Sequence, residues 1–485
     1  MDDNTLRNIM RKLALGCASL AAASLILIQT ATAQSTYPPL VRSNFKQPVP
    51  EGFGDRQNSW AWSMGWFNGK LLVGTNRANE CVVKAAAHLK NPSVPYPPPD
   101  PNIVCAPDPT DLPLQAEIWS WDPSSDVWSM VFQSPNDVPI PNTNPVKNTA
   151  DDIGYRNMFV FTEQSGTQAL YVSACSARSI YPGIQGARIL RSVDGVNFAP
   201  LPQDAGTVLG DLESQCFRGA ASYNGKFYII SSQPWTLLEA TNPEQGDNAF
   251  RIVSKTGQNP EELAVFNNYL YVAFASNTAG FTLAKTQTTG NIPYKMTPII
   301  VSGGYKYPWP NKSVLSMAVF NGSLYVGGDG LHHSAKFNAQ GAELFRVNAD
   351  DSWDVIAGAT RTLPDGSTKS PLSGLGVGFG WNYNVHMWRQ QVFDGRLYVG
   401  TFDESTALRF DNPTVLGPQE GFDLYYTEDG VTFTAVDING FEDKFNDGVR
   451  ALLATPYGLF LGTANQWFGL EVWKGVPAGF VAPGP

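Results

Sequence analysis

Short apolar strands separated by tight turns recur along almost the whole chain. The clearest form is a strand, an Asn-Gly or Asp-Gly step and a second strand, as in WFNGKLLVGT at residues 66–75. A two-residue hairpin turn that matches the twist of its strands needs positive φ at both central positions, which Asn, Asp and Gly tolerate best. Each copy of the pattern therefore predicts a β-hairpin.

Seven copies of this hairpin pattern are present. The other six are MFVFTEQSGTQALYVS (158–173), SYNGKFYII (222–230), VFNNYLYV (265–272), VFNGSLYVG (319–327), VFDGRLYVGT (392–401) and TPYGLFLGT (455–463). A second pair of apolar segments follows most copies, for example AEIWSW at 116–121 with VW at 127–128. Four strands in each recurring unit is the pattern of propeller blades. The sequence predicts an all-β chain that forms a single seven-bladed β-propeller of four-stranded blades.

The domain organisation follows from the repeats and from the N-terminus. Basic residues precede an apolar run at 13–28 and an Ala-Thr-Ala site at 31–33, which predicts a signal peptide over 1–33. A retained anchor and lipidation at Cys17 are the alternatives. The last repeat lacks a clear fourth strand, so within the N-terminal segment 34–58 we expect Val41 to Pro48 to complete it. The propeller then covers 59–485, and a row of β-sandwiches would not explain one motif repeating throughout.

Four cysteines remain after signal cleavage: Cys81, Cys105, Cys175 and Cys216. An even number in an oxidising compartment predicts two disulfides, for which three pairings are open. Cys81 and Cys105 bracket one proline-rich insertion, which favours Cys81 with Cys105 and Cys175 with Cys216. Their spacing argues against a zinc site. The predicted location is periplasmic or secreted.

Composition and charge restrict the partners. The chain has 45 Gly, 36 Pro and only 16% charged residues, and its net charge of −10 is spread without a basic stripe. Nucleic acid and anionic membrane surfaces are therefore excluded as main partners. We expect a monomer that binds a small molecule and has no stable membrane insertion after signal cleavage.

The scaffold motifs resemble those of a known group. VFNGSLYVG (319–327), AELF (342–345) and DGVNF (194–198) resemble segments of secreted bacterial propellers, in particular the propeller half of the cyanobacterial enzymes that alkylate resorcinols with alkyl chlorides. The resemblance covers nearly the whole mature chain but consists of scaffold residues. It implies the fold and carries over no catalytic residue. Those enzymes also have an N-terminal calcium-binding domain that contributes to their site and has no match in this sequence.

Residues just before each hairpin should converge in a funnel at one face of the propeller. About five positions before the aromatic residue of each turn lie Trp62, Arg156, Arg218, Glu261, Leu315, Trp388 and Arg450, with Glu262 and Arg389 as neighbours. Arginine forks bind carboxylates or sulfates, and tryptophan rings stack on aromatic or sugar rings. This set predicts one central site for a small anionic or aromatic ligand.

Roles within this site depend on whether the protein is an enzyme. In a cofactor-free enzyme, Glu261 or Glu262 is the base and Arg218 stabilises an anion. Trp62, Arg156, Trp388, Arg389 and Arg450 then bind the ligand. In the alternative, the arginines bond neighbouring carbonyl oxygens, Glu261 or Glu262 neutralises Arg218, and the protein is a periplasmic binding or scaffold protein. A carbohydrate-active propeller with tryptophan platforms is the third hypothesis.

The histidines and two acidic segments leave metal binding open. His332, His333 and His386 can ligate a metal together with Asp329 or act as bases, but exposed loop histidines are the competing interpretation. Calcium is an option at 122–126 or 348–351, which also fit turns between outer strands. No other cofactor is predicted. The longest insertions, 78–113, 328–340 and 403–421, are expected to build a lid over the site.

Overall fold

A computed structural model describes residues 35–305, 311–334, 338–408 and 419–484. The predicted signal peptide lies outside these residues, as does part of two predicted lid insertions. Within the described ranges, no helix is long and apolar enough to cross a membrane. The chain is all-β, as predicted.

Each repeat contributes two long central strands joined as a hairpin. The inner strands are Asn58–Phe67, Gly154–Thr162, Cys216–Tyr223, Pro260–Phe266, Ser313–Phe320, Asn384–Phe393 and Gly448–Thr455. The second strands are Lys70–Arg77, Gln168–Cys175, Lys226–Ser232, Tyr269–Phe274, Ser323–Asp329, Arg396–Asp403 and Gly458–Ala464. Every pair is antiparallel.

Two shorter strands extend each hairpin outwards. The third strands are Glu117–Asp122, Ile189–Ser192, Thr236–Ala240, Thr282–Thr286, Leu344–Val347, Leu424–Thr427 and Val472–Gly475. The fourth strands are Val127–Gln133, Ala199–Pro200, Phe250–Ile252, Thr297–Ile300, Trp353–Ala357, Phe433–Asp437 and, from the N-terminal segment, Phe45–Lys46. Phe45 lies opposite Gly475 in the last repeat. The outer edge of that repeat is therefore formed by the other end of the chain.

The remaining elements are short and lie in the connections. Two further hairpins pair Val138–Pro139 with Asn148–Thr149 and Arg361–Thr362 with Thr368–Lys369. The α-helices are Asn79–Lys90 and Ser405–Leu408. The 3-10 helices are Arg42–Asn44, Glu51–Gly54, Pro109–Asp111, Ala177–Ser179, Pro243–Gln245, Asp247–Ala249, Val377–Gly380 and Gly440–Glu442.

The inner strands form a closed ring. Each inner strand contacts the inner strand of the next repeat, and Gly448–Thr455 of the seventh contacts Asn58–Phe67 of the first. Apolar side chains fill the spaces between neighbouring repeats, as where Tyr171 of the second repeat packs on Phe227 of the third. Radial sheets packed face to face around an axis are the architecture of a β-propeller. The described residues thus form a propeller; seven blades stays the prediction from the hairpin count.

The predicted turn chemistry is present at the hairpin tips. Asn68 and Gly69 have φ of 50° and 75°, and Asp394 and Gly395 have φ of 45° and 70°. Positive φ at two successive residues matches the right-handed twist of the strands. The Asn-Gly and Asp-Gly steps of the sequence therefore set the register of these hairpins.

A buried asparagine and a carboxyl group lock the start of three repeats. In the first repeat, Asn58 Nδ2 donates to the carbonyl oxygen of Gly52 at 2.9 Å and to Glu117 Oε2 at 2.8 Å. The same contacts recur for Asn384 with Gly378 and Asp423, and for Asn446 with Gly440 and Glu471. Gly52 has a φ of 57°, which a residue with a Cβ adopts only with strain. The acidic residues Glu117, Asp423 and Glu471 are thus part of the scaffold.

Both predicted disulfides are present. Cys81 is bonded to Cys105 across the first insertion, and Cys175 is bonded to Cys216. The first disulfide ties the helix Asn79–Lys90 to the loop that follows it. The second joins the second strand of repeat two to the inner strand of repeat three, where the two residues lie opposite each other.

The buried carboxyl group of Glu471 predicts a pH-dependent stability. Burial raises the pKa of Glu471 to about 7, although hydrogen bonds from Asn446 and Trp473 lower it. In the unfolded chain the pKa of this carboxyl group is about 4.5, so between about pH 4.5 and 7 the folded state keeps a proton that the unfolded state has released. The free energy of unfolding therefore falls as pH rises through this range. We expect Glu471→Gln to remove up to about 1.4 kcal/mol per pH unit of this slope. Urea unfolding at a series of pH values measures it.

The control for this measurement is Glu442→Gln, whose carboxylate side chain is 80% exposed. This exchange should change the free energy of unfolding by less than about 0.5 kcal/mol at any pH. An unchanged slope in Glu471→Gln would contradict the assignment.

Candidate functional site

A β-bulge interrupts every inner strand at the same level. In the first repeat Ala61 pairs with Thr75 and Ser63 with Gly74, so Trp62 is left without a partner on the second strand. The residues within the bulges of the seven repeats are Trp62, Arg156, Arg218 with Gly219, Glu261, Leu315, Trp388 and Arg450. A bulge leaves its extra residue out of the ladder and redirects its side chain. These are the seven positions that the sequence spacing selected.

Most of these side chains line one cavity at the centre of the ring, with a volume of about 220 Å³. Of the predicted site residues, the lining includes Trp62, Arg156, Arg218, Glu262, Trp388, Arg389 and Arg450. Ser63, Asn157, Ser316 and Gln390 add neutral polar groups. Glu261 does not line the cavity; it lies 3.5 Å from Arg218 and forms an ion pair with it.

Arg450 is the most unusual group in the cavity. The residue is 1% exposed, yet its Nε and Nη1 atoms are buried without a hydrogen-bond partner among the described residues. Its guanidinium lies 4.9 Å from the Trp388 ring, and the rings of Trp60 and Trp62 lie 5.9 Å away. Burial and the neighbouring arginines hold the pKa of Arg450 well below its usual range. A buried donor without an acceptor is costly in free energy.

The other arginines differ in what holds them. Arg389 donates to three main-chain carbonyl oxygens, at 2.9 to 3.1 Å, those of Leu315, Trp388 and Arg450. This is the structural role that the sequence analysis set against ligand binding. Arg156 instead lies 5.4 Å from the ring of Trp62. Burial and the charge of Arg218 lower the pKa of Arg156 well below its usual value.

Glu262 is the carboxylate that lines the cavity. Its Oε1 accepts the main-chain N–H of Leu263 at 3.1 Å. A Cβ on Gly219 would lie 2.7 Å from this oxygen, so glycine in the bulge of the third repeat lets the carboxylate approach. Burial raises the pKa of Glu262, while the charges of Arg389 and Arg218 oppose the shift. Four arginines face two glutamates in and beside the cavity, which leaves an excess of positive charge.

The two predicted tryptophans pack on glycines of the next repeat. A Cβ on Gly154 would lie 2.2 Å from the ring of Trp62, and a Cβ on Gly448 would lie 2.2 Å from the ring of Trp388. Trp62 and Trp388 are 7% and 6% exposed. Their rings are therefore walls of the cavity, fixed between repeats, and not open platforms.

A second cavity, of about 710 Å³, adjoins the first and shares Trp62 and Arg156 with it. The insertion helix Asn79–Lys90 forms one side through Val82, Val83, Ala86 and Ala87. The Cys81–Cys105 disulfide holds this helix in place. The first predicted lid insertion therefore covers a space next to the arginine cavity.

A separate cluster joins two of the predicted histidines. His332, His386 and Asp329 bring their ligand atoms close together, and Glu404 bonds His332. His333 contributes only its main-chain N–H, to Glu404 at 2.7 Å. Burial lowers the pKa of His386 to about 4. Against the effect of burial, hydrogen bonds with Asp329 and Glu404 raise the pKa of His332 to about 9.

The two segments considered for calcium form turns between outer strands. Asp122 Oδ1 accepts the N–H and the hydroxyl of Ser124, at 2.9 and 2.6 Å. Asp350 Oδ1 accepts the same two groups of Ser352, at 3.1 and 2.6 Å. These carboxylates therefore stabilise turns by accepting hydrogen bonds from nearby serines.

Trp60, two positions before Trp62, has its ring 5.4 Å from that of Trp388. Sequence reasoning missed Glu404 as the partner of His332, because the two residues are 72 positions apart. The only signal available was their common place after the end of a second strand.

No protein-family model and no curated protein matches the chain. Among solved structures, the chain is similar to the Pan2 WD40 domain of Neurospora crassa, with 10% identity over 90% of this chain and 98% of that chain and a TM-score of 0.44. It is also similar to a chain of the Mitotic Checkpoint Complex, with 10% identity, 90% and 92% coverage and a TM-score of 0.44. A chain of the nidogen/laminin complex gives 9% identity, 67% and 89% coverage and a TM-score of 0.35. Likenesses at this level carry no argument about function.

The contrast between Arg450 and Arg389 predicts opposite effects on stability. Arg389→Met removes the donor of three buried carbonyl oxygens and should lower the free energy of unfolding by about 3 kcal/mol. Arg450→Met removes a buried cation whose Nε and Nη1 lack partners, so we expect a change within about 1 kcal/mol of zero or a gain in stability. Equilibrium unfolding in urea measures both. An equal loss in the two variants would assign Arg450 to the scaffold.

Proposed function

We propose that the central cavity binds a small organic anion in an exported propeller. The observation that carries the proposal is the buried guanidinium of Arg450, whose Nε and Nη1 have no acceptor within the described part of the chain. In that part of the chain, Asn157 Nδ2 and Trp62 Nε1, from two other residues of the cavity lining, are also buried donors without a partner. A carboxylate or sulfonate accepts hydrogen bonds only, and the planar arginine fork can donate to two of its oxygens at once.

The charge of the cavity supports the same ligand class. The arginines lower one another's pKa values, as the charges of Arg389, Arg156 and Arg218 do for Arg450. A bound anion removes this repulsion and gains from the low dielectric of the ring centre. An uncharged ligand would leave the repulsion between the arginines in place. The size of the cavity, about 220 Å³, suits a compact ligand such as a benzoate.

The adjoining cavity under the helix Asn79–Lys90 extends the proposal to the body of the ligand. Val82, Ile153 and the aliphatic part of Lys90 line this space, which shares Trp62 and Arg156 with the anion cavity. An anion with an apolar or aromatic substituent can place its charge among the arginines and its substituent near the helix. Typical ligand sites combine an apolar lining with a few polar groups in this way.

The carbohydrate hypothesis is less well supported. Sugar binding uses an open aromatic face, but the rings of Trp62 and Trp388 pack against Gly154 and Gly448. Among the described lining residues, donors of Arg450, Asn157 and Trp62 lack partners, against one acceptor, Gln390 Oε1, which favours an acceptor-rich ligand over a polyol.

Binding of benzoate to the purified protein tests the proposal. Isothermal titration calorimetry should show one site for benzoate or benzenesulfonate and none for benzyl alcohol. We expect Arg450→Met to abolish this binding while the protein keeps its melting temperature, because charge-assisted hydrogen bonds to the ligand are lost, whereas Nε and Nη1 make no hydrogen bond to the described residues. Equal binding of the alcohol, or unchanged binding in Arg450→Met, would contradict the proposal.

The matched control is Lys46→Met, which removes an exposed cation from the outermost strand of the last repeat and none from either cavity. It should leave benzoate affinity within about threefold of wild type, because an exposed lysine at this distance is screened.

A catalytic form of the proposal assigns Glu262 as the base. The specific observation in its favour is the raised pKa of a carboxyl group that shares the cavity with the arginines. A base with a raised pKa can take the proton of an acidic hydroxyl, and the arginines then stabilise the resulting oxyanion. The resemblance to secreted propellers that alkylate phenolic rings is compatible with this chemistry. Glu261, paired with Arg218, has a positioning role in this scheme.

Glu262→Gln separates binding from catalysis. Removing the negative charge should leave anion affinity unchanged or raise it several-fold, since Gln no longer competes for the arginines. If the protein is an enzyme, the same exchange lowers kcat by about 100-fold or more at an unchanged KM, as expected for loss of a general base. A simultaneous loss of anion binding would assign Glu262 to the architecture of the cavity instead.

A further inference from the structure

A cluster of two histidines and one aspartate lies at the junction of the fifth and sixth repeats. Asp329 ends the second strand of repeat five, His386 lies near the start of the inner strand of repeat six, and the two residues are opposite each other. His332 follows three residues after Asp329 in the connecting loop. The main-chain N–H of Gly330 donates to the carbonyl of Val385 at 2.7 Å, which fixes the strands beside the cluster.

The distances within the cluster fit one metal ion. His332 Nε2 and His386 Nε2 are 3.0 Å apart, and Asp329 Oδ1 lies 3.3 Å from His386 Nε2 and 3.6 Å from His332 Nε2. Ligand bonds of about 2.0 to 2.2 Å in a tetrahedron place neighbouring ligand atoms about 3.3 Å apart. Three atoms with this spacing surround a point at bonding distance from all of them.

Proton counting shows that the cluster is not satisfied by hydrogen bonds alone. His332 Nδ1 lies 2.8 Å from Glu404 Oε2 and donates to this carboxylate; when the imidazole gives up its second proton, as metal binding requires, Nε2 presents a lone pair. That lone pair faces His386 Nε2 and Asp329 Oδ1, which leaves at most one proton for three facing atoms. Asp329 Oδ1 is buried without a hydrogen-bond partner among the described residues. A cation satisfies all three lone pairs together.

The surroundings are those of a ligand set held in position. Asp329 Oδ2 is engaged by the hydroxyl of Ser313 at 3.2 Å and lies 3.4 Å from Lys312 Nζ, which leaves Oδ1 for the cluster. Glu404 accepts from His332 Nδ1, the carboxylate–histidine contact that orients metal-binding imidazoles. The ring of Phe402 stacks on that of His386 at 4.8 Å.

The place of the cluster in the ring has a covalent counterpart. Between the second and third repeats, the residue that ends the second strand and its opposite on the next inner strand are Cys175 and Cys216, which form a disulfide. Asp329 and His386 occupy the corresponding positions between the fifth and sixth repeats. A metal bound here would link two neighbouring repeats, as the disulfide does.

We propose that Asp329, His332 and His386 bind a zinc-class divalent transition metal ion, with Glu404 as the residue that positions His332. Two imidazoles and one carboxylate suit such an ion, whereas calcium prefers oxygen ligands only. Three protein ligands leave a coordination position open, and the His332 side chain is 36% exposed. The open position can therefore take water or a solute. This site is independent of the anion proposal, although Trp388 contacts His386 and also lines the anion cavity.

Titration of the chelator-treated full chain with Zn²⁺ and Co²⁺ tests the site. We expect one equivalent of Co²⁺ to bind with the visible absorption of a nitrogen- and oxygen-ligated ion, one equivalent of Zn²⁺ to displace it, and Zn²⁺ to raise the melting temperature. Asp329→Asn and His386→Gln should each weaken Zn²⁺ binding by more than about 100-fold, and Glu404→Gln by about 10- to 100-fold. Glu404→Gln, which removes only the positioning residue, should show the wild-type Co²⁺ spectrum at saturation. Asp329→Asn and His386→Gln, which each remove a ligand, should show a changed spectrum.

His333→Gln is the matched control, because it changes the neighbouring histidine whose ring is outside the cluster. It should bind Zn²⁺ as the wild type does. If a buried variant fails to fold, His332→Gln replaces a half-exposed loop residue and must show the same loss. The proposal is overturned if the wild type binds no Zn²⁺ stoichiometrically, or if His332→Gln binds it as tightly as His333→Gln.

Discussion

Each inner strand carries one residue more than its partner at the level of the central cavity, and the chemistry of the ring centre depends on this. Without the bulge, the strict alternation of a strand would direct the side chain of Arg450 into the apolar space between two repeats. With it, the side chain lies at the axis beside groups from six other repeats. The bulge therefore concentrates charge at one point while the ladders on both sides of it stay regular.

Such a concentration of charge is costly and must be balanced by the scaffold. The described repeats supply this balance through apolar packing between sheets, two disulfides and buried polar locks such as Asn446 with Glu471. In each lock the asparagine amide donates to a carbonyl oxygen and to a carboxyl group, whereas Nε and Nη1 of Arg450 have no partner among the described residues. A cluster of unsatisfied groups in one cavity indicates function more reliably than exposed charge does, because selection for stability alone would remove them.

The sequence predicted those features that depend on local chemistry. Asn68 and Gly69 encode a turn that forms wherever it is placed, so the hairpins, their number and the fold class could be derived from spacing. The level of the cavity could be derived as well, because the bulged residues keep a constant distance from the turn. Arg389 shows what spacing alone does not predict. It is an arginine next to a bulged position, like the ligand-binding candidates, but its guanidinium donates hydrogen bonds to three carbonyl oxygens. Only the packing of neighbouring strands distinguishes it from Arg450.

Several contacts between repeats escaped prediction, although the Cys175–Cys216 disulfide did not. Gly154 lies under Trp62 and Gly448 under Trp388, and in each case the small residue and the large one belong to different hairpins. The cluster of Asp329 and His386 and the Cys175–Cys216 disulfide occupy the same kind of junction. Within a repeat, sequence spacing fixes which residues meet, but between repeats the meeting depends on ring closure and on loops of different length. Because each junction brings the end of one second strand against the start of the next inner strand, variation at these two positions can change a covalent link into a site for a ligand without altering the fold of either repeat.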